Sequence, residues 1–257
     1  MKHQFKMASI LFASFIYFSC NKELPDLQQN LQADIDNASN TNTKKIFPKS
    51  IRHSFSSYVY TWDFMYTKKG EVDSIDVFVQ TKYYGDWRFA YKVLYSGNKI
   101  VSVTRTAYGQ VAARLVNIKY HGDLIVQGDF YRSDNPVVEW KFEYDKKKRP
   151  VSSPIGERFF YDEKGNLVSY THPIMPSDNS TFISDELENP MHRIPDLNVI
   201  LLDHLDMAFY WYNPHNVVST TYNDGRTVTV DNRYDFSGNL VASYWSNVNN
   251  DQWNFTY

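Results

Sequence analysis

The stretch YDEKGNLVSY at residues 161–170 returns as YDFSGNLVASY at residues 234–244. Both begin with a tyrosine, pass through a polar run ending in Gly165-Asn166 or Gly238-Asn239, and leave as Leu-Val. Glycine takes the positive φ of a tight reversal without steric cost, and asparagine tolerates it next best. The phrase therefore reads as strand, turn, strand. Looser copies start at Tyr66 (YTKKGEVDSI), Tyr95 (YSGNKIVSV), Tyr120 (YHGDLIVQG), Tyr144 (YDKKKRPVSS) and Tyr212 (YNPHNVVSTT). Their spacing is unequal, so they form a degenerate array and not a strict solenoid.

The segments between the turns alternate. In VEWKFEY, Val138, Trp140, Phe142 and Tyr144 point one way, and Glu139, Lys141 and Glu143 the other. VNIKY sets Val116, Ile118 and Tyr120 against Asn117 and Lys119, and TVTVDNRY and the terminal WNFTY follow the same rule. Period two with one apolar face marks a half-buried antiparallel strand. A single hairpin is marginal in water and needs further strands beside it. Each copy of the phrase thus adds a hairpin to one growing sheet, with its tyrosine packed on cross-strand neighbours. Composition agrees: 17% of residues are aromatic, with 20 Tyr, 17 Phe and 6 Trp, and such residues favour pleated surfaces. The expected fold class is all-β, an antiparallel meander of hairpins curled into a barrel or half-barrel. A membrane-spanning barrel shows the same alternation. Charges close to strand centres, as in YDKKKRPVSS and ERFFYDEKGN, favour a wall that faces water, with the aromatics turned inward.

The array is interrupted once. Residues 172–211 contain four of the ten prolines, Pro173, Pro176, Pro190 and Pro195. These are expected to exclude regular strands from the first half of the segment. The apolar run LNVILLDHL follows at residues 197–205. An insertion over residues 171–206, packed as a plug or lid on the sheet, is expected, because long structureless loops in compact domains are uncommon.

The N-terminus is read separately. MKHQFK carries positive charge, and residues 7–18 (MASILFASFIYF) form an apolar run too short to span a bilayer as a helix. It ends at Ser19-Cys20, and Cys20 is the only cysteine. This resembles the lipobox of bacterial lipoproteins, although Tyr17 stands where that family usually has leucine and Phe18 is bulky. The resemblance implies a signal peptide at residues 1–19, diacylglycerol on the Cys20 sulfur, and an acyl chain such as palmitate on the freed amine. The other reading is a secretory signal with an incidental cysteine. Residues 20–50 are polar and read as a disordered tether, leaving residues 51–257 as a single β domain.

The YDxxGNLV phrase also looks like the YD repeat of Rhs-type proteins. The chain from about residue 58 onward resembles a family of lipoproteins of unknown function with tyrosine-turn repeats and a porin-like β fold. That resemblance implies a lipid-anchored cell-envelope protein, at the outer membrane, with no established catalytic residues to carry over.

Little else points to chemistry. The formal net charge is −2, which offers no basic field for nucleic acid. His172, His192, His204 and His215 lie in or beside the insertion with Asp185, Glu186, Asp203 and Asp206. They could serve an envelope hydrolase, but their spacing matches no metal or catalytic motif, and no cofactor or metal is expected. Lys146 to Arg149 reads as a solvated hairpin tip. The aromatic-dense stretches YVYTWDFMY and YYGDWRFAY make Trp62, Tyr83, Tyr84 and Trp87 candidates for a surface that takes a glycan or small apolar ligand. The plainer reading is that these rings are sheet core and cross-strand ladders. The functional expectation is a non-enzymatic scaffold that binds a ligand, a glycan or an envelope protein, held to the membrane by its N-terminal lipid. The alternative is a hydrolase built on the insertion.

Overall fold

The computed structural model describes residues 46–133, 135–194, 196–201, 212–246 and 251–257, which all fall within one compact unit, Lys45–Tyr257. The strands are β1 (Ser50–Phe55), β2 (Tyr58–Tyr66), β3 (Val72–Thr81), β4 (Trp87–Ser96), β5 (Lys99–Ala107) and β6 (Gln110–His121). They continue as β7 (Leu124–Arg132), β8 (Asn135–Lys141), β9 (Glu143–Tyr144), β10 (Pro150–Ser152), β11 (Arg158–Tyr161) and β12 (Leu167–Thr171). The last are β13 (Ser180–Glu188), β14 (His215–Tyr222), β15 (Thr227–Tyr234), β16 (Leu240–Trp245) and β17 (Gln252–Thr256). Strands adjacent in sequence pair antiparallel around the circuit, and β17 returns to β1 with Ile51 opposite Phe255 and His53 opposite Trp253. β8 and β9 are one strand broken at Phe142, whose amide still donates to Val126 of β7 at 3.1 Å. The result is a nearly closed barrel. It is thinnest at β10, which pairs with β11 only through Ser152 opposite Arg158.

The repeated phrase is a five-residue turn with a fixed set of hydrogen bonds. At Asp162 the backbone amide donates to Asn166 O at 2.9 Å and Gly165 N donates back to Asp162 O at 3.2 Å. The carboxylate accepts Asn166 N at 2.8 Å. The turn at Asp235 repeats this with Asn239 N at 2.9 Å, and Asp145 does so with Arg149 N at 3.0 Å. Gly165 and Gly238 hold φ of 94° and 77°, values a side chain rarely accepts.

The tyrosine has a role beyond packing. The hydroxyl of Tyr95 donates to Val72 O at 3.1 Å, that of Tyr120 to Ile100 O at 2.9 Å, and that of Tyr144 to Ile125 O at 2.8 Å. Tyr66, Tyr161 and the terminal Tyr257 do the same to Pro48, Pro150 and Leu240. Each ring reaches a carbonyl at or just before the start of the preceding strand, so the hydroxyls stitch neighbouring strand ends into a belt at one end of the barrel. Tyr234 departs from this pattern and donates to the Asp185 carboxylate. Tyr212 departs further: it is buried 4.7 Å from the Phe159 ring and closes the non-strand segment before β14, so this copy is not a hairpin.

Inward positions of the strands form one apolar cluster, with Trp62, Ile75, Tyr91, Leu115, Trp140, Val228 and Trp253 among its members. The outer face carries polar pairs, including Lys92–Asp73 at 2.6 Å, Arg158–Glu143 at 2.5 Å and Gln127–Glu139 at 2.6 Å. The alternation read from the sequence holds for most strands. In VNIKY it fails, because Asn117 takes φ of 52° and the register slips between Val116 and Lys119. This bulge puts Leu115 in the core while Ile118 and Tyr120 pack against it further on. Val116 therefore does not share their face. In VEWKFEY, Val138 is exposed while Trp140 and Phe142 are buried.

Two boundaries are corrected. The fold begins before residue 51. The Phe47 ring stacks on Tyr66 at 5.4 Å, and Lys49 bridges β17 and β2, its amide donating to Thr256 O at 2.6 Å and its carbonyl accepting Phe64 N at 2.8 Å. The insertion is also shorter than residues 171–206. The prolines bracket β13 without interrupting it, so Ser180–Glu188 joins the wall against β14. The non-strand part starts at Asn189. Its Met191, Ile194, Leu197, Val199, Ile200 and Leu201 are buried in the same cluster as the wall, with a one-turn helix α1 (Leu197–Ile200). It fills the barrel as a plug. Signal residues 1–19, Cys20 and nearly all of the tether lie outside the described residues.

Candidate functional site

The end of the barrel away from the tyrosine belt holds a cavity of about 430 Å³. Its first wall comes from β1, β2 and β17. Pleating aims His53 and Phe55 inward from β1, Tyr60 and Trp62 from β2, and Trp253 from β17. Because β17 pairs with β1 and β1 with β2, these rings stack across strands. His53 lies 3.9 Å from the Trp253 ring and 4.9 Å from Phe55. Trp62 and Trp253 are 5.8 Å apart and almost parallel, at 3°. Tyr170, Phe182 and Tyr222 from β12 to β14, and Trp245 from β16 beside β17, complete the lining.

Polar groups are set into this aromatic lining. His53 Nε2 is 2.8 Å from Asp251 Oδ1. A carboxylate only accepts, so Nε2 carries a proton and donates. Glu157 is 1% exposed, and its Oε1 accepts the Tyr170 hydroxyl at 2.5 Å. His53 Nδ1, Glu157 Oε2, Thr220 Oγ1 and Trp62 Nε1 are buried with no hydrogen-bond partner among the described residues, and all four side chains line the cavity. His172 is also there, but its Nδ1 accepts the amides of Ile174 and Met175 at 3.1 and 2.9 Å, so it caps its own loop. Burial raises the Tyr222 hydroxyl above the usual phenol range, with Arg226 pulling the other way.

The residues singled out from the sequence do not form one surface. Trp62 is buried in the cavity wall. Tyr83 and Tyr84 are exposed at the β3–β4 tip, and Trp87 packs edge-on against Tyr58 at 6.2 Å. The histidines and acids of the insertion are dispersed. His172 faces the cavity, and His192 lines a groove at the opposite end. His215 is 2.5 Å from Asn166 Oδ1, and Glu186 pairs with Lys164 at 3.0 Å. His204, Asp203 and Asp206 lie outside the described residues. Among the described residues no three His, Cys, Asp or Glu side chains gather as a metal site. His53 and Glu157 were not legible as site residues. Asp251 is 198 residues from His53, and only barrel closure joins them.

Asp196, at the start of α1, has a left-handed φ of 53°. It keeps solvent-accessible surface although protein surrounds it. That enclosure raises its carboxyl above the usual carboxylate range. Burial first, and then the Asp196 charge, lift the Tyr120 hydroxyl to about 12.

No protein-family model matches the chain, and no curated protein matches it. Its fold is similar to that of a porin-like protein from Bacteroides uniformis, with a TM-score of 0.50 at 11% identity over 83% of this chain and 98% of that one. A porin-like protein from Bacteroides vulgatus aligns over 82% of this chain and 98% of its own, at 12% identity and a TM-score of 0.32. At such identities the first likeness concerns the barrel architecture alone.

Proposed function

We propose that this chain is a non-enzymatic cell-envelope protein, anchored at the outer membrane through lipid on Cys20, whose barrel is a container for a small ligand and not a channel. In a membrane-spanning barrel the outward band is apolar and the lumen polar. Here the distribution is reversed: Trp62, Tyr91 and Trp140 are buried inside, and Asp73–Lys92 and Glu139–Lys141 pairs lie on the outer wall. A plug of buried apolar residues occupies the interior. The tether and the acyl chains would supply the attachment that the wall does not.

The observation that carries the ligand reading is the aromatic cavity with its orphaned polar atoms. Concave, mostly apolar pockets with a few convergent polar groups are the usual form of small-ligand sites, and unpaired buried polar atoms call for a partner. The His53–Asp251 pair orients an imidazole, yet no serine, threonine or cysteine hydroxyl or thiol is bonded to it among the described residues, which favours binding over hydrolysis. Native mass spectrometry of the full chain after incubation with a small-molecule extract of envelopes tests this. Wild type is expected to retain a bound mass that Thr220→Trp, which fills the cavity, loses while keeping its near-UV circular dichroism. A ligand-free mass for folded wild type, or equal retention by the filled variant, would overturn it.

A further inference from the structure

The cavity has a charge and hydrogen-bonding character that narrows what it takes. Its lining includes three carboxylates, Glu157, Asp178 and Asp251, and no lysine or arginine. Arg226 lies over the Tyr222 ring at 4.5 Å but does not line the space. Asp178 is at the exposed rim, whereas Glu157 is nine-tenths buried and more, with no ion-pair partner among the described residues. One of the orphaned atoms, Glu157 Oε2, is a carboxylate oxygen and can only accept. It requires a donor. A buried carboxylate without a counter-charge is costly, and indole and phenol faces attract cations.

We infer, building on the container reading, that the ligand is an organic cation: a protonated amine whose apolar body lies among the aromatic rings of the lining, and whose ammonium pairs with the Glu157 carboxylate. An anion would meet three carboxylates. A neutral molecule would leave the Glu157 charge without a partner. The amine gives the buried carboxylate both a donor and a counter-charge.

Three probes of similar shape separate the possibilities: phenethylammonium, 2-phenylethanol and 3-phenylpropionate, titrated calorimetrically into the full chain at pH 7. The ammonium is expected to bind at least 10-fold more tightly than the alcohol, and the propionate more weakly than either. Glu157→Gln is expected to bring the ammonium to the level of the alcohol. The comparison of probes on wild type decides the matter even where that variant does not fold. Equal binding of ammonium and alcohol would overturn the cation inference and leave the container reading standing. Failure of all three to bind, together with a ligand-free native mass, would overturn both.

Discussion

Removing one hydroxyl from the tyrosine belt is a clean perturbation of the barrel. Tyr144→Phe keeps the ring, which packs against the core, and deletes the 2.8 Å bond to Ile125 O. No apolar surface is lost, so the expected cost is that of one hydrogen bond, about 1 kcal/mol, rising to about 2 if the carbonyl stays dry. Tyr84→Phe is the control, because that ring is 75% exposed at a hairpin tip, and exposed substitutions shift stability by less than about 0.5 kcal/mol. Urea unfolding followed by tryptophan fluorescence measures both. The Tyr144 variant should lower the midpoint at unchanged m-value and lower Tm by about 2–8 °C, at the 2–4 °C per kcal/mol typical of a chain of this size. A loss no larger than the control's would refute the idea that the hydroxyls stitch neighbouring turns together.

Other substitutions probe different parts of the structure. At Gly128 a Cβ would meet Cδ1 of the fully buried Leu115 at 2.8 Å, so Gly128→Ala should cost about 1–3 kcal/mol by overpacking, read from the same unfolding curves. Asp196→Asn should stabilise at pH 7. The folded-state carboxyl is raised, so its ionisation opposes folding; the gain should fade as pH falls through the raised folded value and be gone below the unfolded value of about 3.9. At Asp235, burial pushes the carboxyl up, but the side chain of Asn239 and the amides of Asn239 and Ser237 outweigh it and hold it below the usual range. Its contribution is therefore present above about pH 4 and lost as pH falls through the lowered folded value. Asp235→Ala should destabilise at pH 7 and converge with wild type in acid.

Much of the wall was legible because its signals are local. The Gly165 and Gly238 turns, the inward Val228 and Val230, and the terminal Trp253 and Phe255 follow from period two and from positive-φ glycine. What was missed depends on exceptions to that period or on distance. The bulge at Asn117 moves Val116 off the expected face, and nothing in VNIKY marks it. Prolines at 173, 176 and 190 suggested a broken segment, yet proline breaks a strand only where it sits inside one, and β13 runs between them. The sequence shows the tyrosine as a packing residue, while its hydroxyl bond needs the neighbouring turn to be placed. The cavity was least legible. Trp62 was singled out, but its partners come from β1, β17 and the β10–β11 turn, and Glu157 sits in a turn without a motif.

The most direct measurement is a crystal structure of the full chain after exposure to the envelope extract. The expected result is ligand density between Trp62, Trp253 and Trp245, with a donor atom within hydrogen-bond distance of the Glu157 carboxylate. Density elsewhere on the barrel, with only ordered water in this cavity, would contradict it.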